Sequence, residues 1–432
     1  QKRHTSLHGI PIVGTRTELA ALIERYAPEE VIIAMPSVAP GIIRETVAQC
    51  QEAGVEKIKI IPSLKEVFEG KFTLAHVRDV AIEDLLGRTP VSIDTSMIGS
   101  FLAGKRVLVT GAAGSIGSTL CEQILSFRPE HLIAFDKSET PLFYLERRLA
   151  AHVPRTSLHM EIGTMTDEAR VRDLFDKHRP QVVFHAAAYK HVPLMERHPL
   201  EAIKNNIFGT YTVAQTAAQY GVETFVLISS DKAVNPSSVM GSTKRVCEMI
   251  CLALNATSAT NFCAVRFGNV LDSQGNVIEI FRAQIEKGGP VEITHPDMRR
   301  YFMITAEACL LVMEAGAITA GGEIFVLDMG EPVKIVDLAH ALIRLSGFTP
   351  DVDIPVVTVG MRPGEKLFEE LLTDFETPTN FEKLFIARTE RDDFADLLSD
   401  YLPRLEQTIH TRQVAEARTL LLSLITHVSN KK

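Results

Sequence analysis

Ser230, Asp231 and Lys232 put a hydroxyl, an acid and an amine in a row. They close the run Leu227-Ile228-Ser229, which reads as the end of a buried strand, and Lys244 follows on the next helical stretch. An acid and an amine gathered at the carboxyl end of a strand form a proton-transfer set, one giving a proton and the other taking it. A salt-bridged loop would use the same residue types. What favours chemistry is the crevice on which these residues converge.

That crevice is signalled by residues 106–118, RVLVTGAAGSIGS. Val107, Leu108 and Val109 form the unbroken apolar run of a parallel strand buried on both faces. Gly111, Gly114 and Gly117 follow at G-x-x-G-x-x-G spacing, while Ser115 and Ile116 open a helix continued by Leu120, Ile124 and Leu125. Glycine permits the tight turn and lets a pyrophosphate approach where a Cβ would intrude. The helix start points free N–H groups and a positive dipole end at the phosphates. A second strand ends at Asp136, about 20 residues past the last glycine, where a dinucleotide fold places its ribose-binding acid. Ala186, Ala187 and Ala188 close a further strand and leave room for a flat ligand, although packing alone also asks for small residues there.

The elements that must position these groups alternate regularly. Strands are predicted at 106–110, 131–135, 157–161, 182–186, 224–229 and 262–266, with helices at about 115–127, 140–151, 167–178, 199–220 and 240–257. This is an α/β fold, a doubly wound parallel sheet of the NAD(P)-binding Rossmann kind, whose ligand crevice lies at the strands' carboxyl ends. Residues 1–70 read as a small additional N-terminal α/β domain without a glycine fingerprint, and 71–100 as a connector with a short amphipathic piece at 82–88. The dinucleotide domain is placed at 101–272, a substrate-capping domain interleaved with it at 273–375, and a helical segment without evident chemistry at 376–432. Within the cap, helices are expected near 276–287, 305–316, 334–346 and 364–372, with short strands at 291–294 and 324–327.

The 432-residue chain is 46% hydrophobic and 23% charged, an ordinary globular balance. Its net charge of −9 and its lack of a basic run exclude nucleic-acid binding as the main activity. The six cysteines form no C-x-x-C pair, and Cys247 and Cys251 share a helix face, so reduced thiols and no metal site are expected. No apolar run is long enough to cross a bilayer, and no signal peptide is present. The chain begins at Gln1, close to a strand, and reads as part of a longer protein cut on its N-terminal side.

The ordered set TGAAGSIGS, HAAAYKHVPLME, SSDKAVNP, MGSTK, RFGNVLDSQGNVIEIF, THPDMRRYFM and MRPGEKLFEELL spans roughly residues 80–375. It resembles the extended short-chain dehydrogenase/reductase superfamily. Within that superfamily it is similar to the large polysaccharide-biosynthesis UDP-N-acetylglucosamine 4,6-dehydratases. Residues 1–70 also resemble the extra N-terminal domain of those large members, which carry transmembrane helices ahead of it. The resemblance thus implies the cytoplasmic part of an inner-membrane-anchored protein, serving surface polysaccharide or glycoprotein glycan synthesis and pairing with copies of itself.

The resemblance implies a tightly held, recycled NAD and a UDP-N-acetylglucosamine substrate. Hydride leaves sugar C4 and returns to C6; Lys232 removes the C5 proton, Asp231 assists loss of the C6 hydroxyl, and Lys244 and Ser230 serve the nicotinamide ribose and the C4 oxygen. Met240 stands where the superfamily's Tyr-x-x-x-Lys motif has its tyrosine. A thioether is no general base, and methionine is the familiar residue in the large dehydratases. Thr164 replaces an aspartate that relatives often carry near the adenine, which leaves that contact to the backbone of Met165. Asp136 favours NAD, since a carboxylate repels a 2′-phosphate; Lys137 and Ser138 keep NADP open. Lys190, Asn206, Asn269, Ser273, Arg300, Arg362 and Glu365 match family positions around the sugar nucleotide. Two rival readings stay in play: a UDP-sugar 4-epimerase, which needs no elimination acid or C5 base, and a non-catalytic nucleotide sensor or scaffold.

Overall fold

In the computed structural model the apolar run after Lys105 is strand β1 (Arg106–Thr110), and Val107, Leu108 and Val109 are wholly buried. The structure describes residues 5–7, 9–35, 38, 40–55, 57–61, 77–85, 93, 95–150, 157–271, 273–371, 376–387, 394 and 396–430. The chain divides into two compact units. One comprises Gln1–Ser92, Val277–Asp297 and Val333–Val359; the other comprises Ile93–Asn276, Met298–Pro332 and Gly360–Lys432. The stretch expected as a single cap at 273–375 is therefore shared between the two units. The expected helix at 82–88 begins as a short helix at Ile82–Leu85; residues 86–88 and the Thr89-Pro90 break lie outside the described residues.

The larger unit is built on one nine-stranded sheet. β1 is followed by helix α1 (Ser115–Ser126), β2 (His131–Asp136), α2 (Glu139–Leu149), β3 (Leu158–Ile162), α3 (Glu168–His178) and β4 (Val182–His185). Then come α4 (Val192–Arg197), α5 (Gly209–Gln219), β5 (Thr224–Ile228), α6 (Val239–Thr257), β6 (Asn261–Arg266), α7 (Thr305–Ile318) and β7 (Ile324–Leu327). The C-terminal region adds β8 (Thr377–Pro378), β9 (Leu384–Ala387), α8 (Leu402–His410) and α9 (Val414–Asn430). The strand order is β8-β9-β7-β6-β5-β4-β1-β2-β3. All neighbours from β7 to β3 are parallel, and β9 joins β7 antiparallel. This is the doubly wound Rossmann order, and it reverses direction at β1/β4, where such sheets open their ligand crevice. Residues 376–387 thus extend the main sheet itself.

Register does the positioning. Thr110 pairs with both Phe135 and His185, and Leu227 pairs with His185. The residues after β1, β4 and β5 therefore emerge side by side on one edge. Behind them, α6 buries nearly its whole length, including Met240, Lys244 and Glu248. The single helix expected at 199–220 is interrupted: a π-helical stretch, Ile203–Phe208, precedes α5. Such π-bulges concentrate at functional sites, and this one carries Asn206.

In the smaller unit, the strands Glu30–Ile33 and Lys57–Ile60 pair in parallel, with helices Leu19–Tyr26 and Pro40–Glu52. The unit also holds the helices Val277–Glu286 and Ile335–Leu345 and the parallel pair of strands Val291–Ile293 and Val356–Thr358. The helix expected at 364–372 does not form: residues 364–371 are turn, bend and irregular backbone. The reason is that its carbonyls serve tertiary partners. Arg299 N donates to Leu367 O at 3.2 Å, and the Arg300 guanidinium donates to Lys366 O at 2.8 Å. An amphipathic pattern lost to long-range hydrogen bonds is a tertiary override of local propensity.

His185, at the end of β4, is fully buried and bridges Thr110 Oγ1 at 2.7 Å and Thr210 Oγ1 at 3.0 Å. Burial first, and then the positive charge of Lys244, pull its pKa from 6.5 down to about 3. Because the unfolded chain takes up this proton and the folded one resists it, His185 costs stability as pH falls below about 6.5, and the loss levels off near 3. Urea midpoints measured between pH 7.5 and pH 5 should fall less steeply for His185→Gln than for the parent chain.

Candidate active site

Gly111 leaves β1 with φ +67°, and a Cβ on it would lie 2.7 Å from Ala187 N and Cα. A Cβ on Gly117 would run into the Gly111 carbonyl. These two glycines let β1, the turn and α1 pack against the end of β4. Gly114 is the extended N-cap of α1, and no side chain caps that end among the described residues. Its first-turn N–H groups are therefore available to an anion.

Asp136 latches the turn. Its Oδ2 accepts from Ala113 N at 3.0 Å, and its Oδ1 accepts from Ser138 N at 2.8 Å. Gly111, Gly114, Asp136, Lys137, Ser138, Thr164, Met165, Ala186, Ala187 and Ala188 line one cleft. The residues fit a dinucleotide: a turn of glycines and alanines, an open helix start and a carboxylate at the second strand's end. Ser115, Ile116, Gly117 and Lys244 lie outside that lining. Ser115 Oγ accepts from Gln274 N at 3.0 Å, and Lys190 Nζ donates to Gln274 O at 2.8 Å, so both strand-end loops hold the Gln274 peptide. Lys137 Nζ sits 4.0 Å from the Tyr189 ring centroid and donates to Tyr189 Oη at 2.6 Å.

Across the edge, β5 runs into a 3-10 turn, Asp231–Ala233, capped by Ser230. Ser230 Oγ donates to Asp231 Oδ1 at 2.8 Å, and Lys232 Nζ donates to the same oxygen at 2.9 Å. Lys232 Nζ also reaches Asn269 Oδ1 at 3.4 Å. Asp231 is fully buried, and its Oδ2 finds no hydrogen-bond partner among the described residues. Ser230 and Lys232 are half-buried, so they are the exposed faces of this triplet. Lys244 Nζ donates to Ile228 O at 2.7 Å, and burial pushes its pKa down. Met240 is buried beside it on α6.

The structure treats the sugar-nucleotide candidates differently. Asn206 is fully buried: its amide donates to Tyr189 O and Thr243 Oγ1 and accepts from Tyr189 N and Asn205 Nδ2. Its hydrogen-bonding capacity is thereby spent on joining β4's end to α6. Arg300 is buried with three donor contacts to the carbonyls of Arg299, Leu367 and Lys366, and its Nη2 lies 3.8 Å from Glu369 Oε1. Ser273 Oγ turns to Val270 O at 3.1 Å. Arg362 is exposed, and its N–H donates to Glu365 Oε2 at 3.1 Å across the turn at Gly364. Asn269 is the candidate that directly meets the triplet.

Sequence reasoning missed Glu248, Arg266 and Glu369. Glu248 lies one turn beyond Lys244 and is fully buried, accepting from Arg266 Nε at 2.8 Å, Arg266 Nη2 at 2.7 Å and Ser229 Oγ at 2.6 Å. Burial alone would raise its pKa, but Arg266, Arg245 and Ser229 hold it at about 2. A lone acid on an otherwise apolar helix face and a lone arginine closing an apolar strand were the available signals. Glu369 is buried too, and burial, only partly offset by Lys232, raises its pKa.

With this geometry established, comparison with known proteins places the chain. Residues 107–389 match the family described as "Polysaccharide biosynthesis protein". The chain belongs to that family. Its fold is that of the extended short-chain dehydrogenase/reductases. A Bacillus subtilis relative, "Probable polysaccharide biosynthesis protein EpsC", is 46% identical over 430 residues, covering 98% of this chain and 70% of that protein. The "UDP-N-acetylglucosamine 4,6-dehydratase (inverting)" of Campylobacter jejuni serotype O:2 is 31% identical over 287 residues, 64% of this chain and 80% of that protein. Among solved structures, Pen from Bacillus thuringiensis superposes with a TM-score of 0.61 at 32% identity, covering 67% of this chain and 90% of that one.

Asp136→Ala removes both the latch on the turn and the charged acceptor. Dinucleotide affinity should drop about tenfold, the scale of one hydrogen bond to a charged group, read by titration calorimetry with NAD. Unchanged affinity would remove Asp136 from the site.

Proposed function

We propose that this chain catalyses the NAD-dependent 4,6-dehydration of UDP-N-acetylglucosamine to a UDP-4-keto-6-deoxy-N-acetylhexosamine. The observation that carries the reading is the Ser230–Asp231–Lys232 triplet, two donors on one carboxylate oxygen at the edge where the dinucleotide cleft opens. An elimination needs both an acid and a base within reach of adjacent carbons. Epimerisation at C4 needs no base at C5 and no acid for loss of the C6 hydroxyl, so this triplet favours the dehydratase over the epimerase.

The bound dinucleotide supplies reversible storage of a hydride, and Gly111, Gly114, Asp136 and Ala186–Ala188 would hold it. The chain's own residues handle the protons. Met240 offers no basic atom, so the C4 hydroxyl proton goes to Ser230 Oγ, whose own proton passes to Asp231 across the 2.8 Å bond. Asp231, fully buried, exchanges protons with the sugar through its half-buried neighbours. Lys232, half-buried, releases one proton to solvent and then takes the C5 proton; the C6 hydroxyl departs as water with the proton stored on Asp231. Lys232 then returns that proton to C5 and regains one from solvent, so the triplet ends as it began. Lys244, held against the Ile228 carbonyl, is assigned to stabilise the developing C4 oxyanion through its N–H groups. Asn269 steers the Lys232 amine.

The identities of relatives support the substrate class, and Asp136, a carboxylate where a 2′-phosphate would lie, supports NAD. Incubation with UDP-N-acetylglucosamine and mass analysis tests the reaction. The proposal expects a product lighter by one water. An isobaric product would mean the epimerase, and no product with dinucleotide retained would mean a sensor. In the same assay Lys232→Ala should lose product formation by at least ~100-fold, the scale of a general base, with dinucleotide content intact.

A further inference from the structure

The C-terminal helix α9 reaches into the catalytic unit at one side chain. Arg418 Nη1 lies 3.0 Å from Glu196 Oε2, and its Nη2 donates to the Glu196 backbone carbonyl. Glu196, on α4, is largely buried by its neighbours, with 14% of its side chain exposed. Its other oxygen, Oε1, accepts from Val239 N at 2.6 Å. Val239 is the first residue of α6, directly ahead of Met240 and one and a half turns ahead of Lys244. The turn at Gly364 packs on the same oxygen: a Cβ there would lie 3.0 Å from Glu196 Oε1, and Ser237 Oγ donates to Gly364 O at 3.3 Å.

One carboxylate therefore joins three pieces that the site depends on. These are the helix that follows the alanine-rich strand end, the amino terminus of the helix carrying Met240 and Lys244, and the turn between Arg362 and Glu365. A carboxylate at a helix amino terminus is favourable, since it satisfies a free N–H and meets the positive dipole end. It must also be kept oriented. With Oε1 committed to Val239, the rotation of Glu196 is set by what holds Oε2, and that is the planar fork of Arg418. We infer that Arg418 is a positioning residue for the reaction, acting through Glu196 on the start of α6 and on the Gly364 turn. This assigns a catalytic contribution to the C-terminal helix. It rests on the dehydratase reading for the reaction it assists, while the contacts stand independently of it.

The test is Arg418→Ala in the full chain, with steady-state kinetics on UDP-N-acetylglucosamine, dinucleotide content and thermal melting measured together. The expected result is a fall in kcat/KM of about tenfold, within the range that small misplacements of site groups produce. Dinucleotide content should be unchanged, and Arg418→Lys should recover part of the loss by satisfying Oε2 alone. A lower melting temperature with parental kcat/KM would make Arg418 a structural pin and overturn the inference. Should Arg418→Ala fail to fold, Glu196→Gln keeps an acceptor for Val239 N while breaking the ion pair; parental kcat/KM in that variant overturns the inference and a tenfold loss supports it. If the parent chain binds the nucleotide sugar without dehydrating it, the reaction reading fails. The inference is then read from affinity: a tenfold weaker Kd for Arg418→Ala supports it and equal affinities overturn it.

Discussion

The end of β4 and the turn after β1 approach until no atom fits between them. A single carbon on Gly111 would lie 2.7 Å from the backbone of Ala187. This constraint ties the fold to the site. The register of β1 with β2 and β4 brings three strand ends level, and the glycine turn converts that level edge into a cleft with an open helix start. Asp136 then ties the turn to the loop after β2 through the Ala113 and Ser138 N–H groups. The dinucleotide cleft is thus a by-product of close packing between parallel strands, and a side chain at Gly111 or Gly117 would push apart the elements that form it.

The strand end that carries the proposed proton-handling triplet rests on a second buried device, the Glu248–Arg266 pair with Ser229. A buried ion pair is seldom a net source of stability, because removing two charges from water costs about as much as their attraction returns. Its value here is geometric. Ser229 lies on the β5 end next to Ser230, Glu248 lies one turn past Lys244, and Arg266 closes β6. Bidentate contacts hold these three elements in one arrangement, so the strand end that carries the triplet and the helix that carries Lys244 stay fixed to each other without relying on loop stiffness. Glu196 and Arg418 do the same at the other end of α6.

Much of the dinucleotide half was legible in the residues, since its signal is local: strand, glycines, helix and acid fall within one βαβ unit, and each has a backbone reason. Ala186–Ala188 and Met165 also line the cleft. The residues expected around a sugar nucleotide carry a weaker signal. Asn206 and Arg300 are polar residues in motifs, but their donors and acceptors are used inside the protein. Polar type alone does not distinguish a ligand contact from a satisfied buried group. The expected helix at 364–372 failed for a related reason: its carbonyls serve Arg299 and Arg300 far away in the chain.

By itself the sequence determined the alternating architecture, the glycine turn with its acid, and the run Ser230-Asp231-Lys232. These are set by periodicity and by neighbours, which a linear chain displays directly. Only the tertiary structure decided how that run is wired. It buries Asp231 entirely, leaves Ser230 and Lys232 as its exposed faces, and backs the strand end with Glu248 and Arg266. Burial and hydrogen-bond saturation depend on which elements cross overhead, and partners such as Glu196 and Arg418 are 222 residues apart. No local pattern encodes such a pairing; it exists only once the helices have packed.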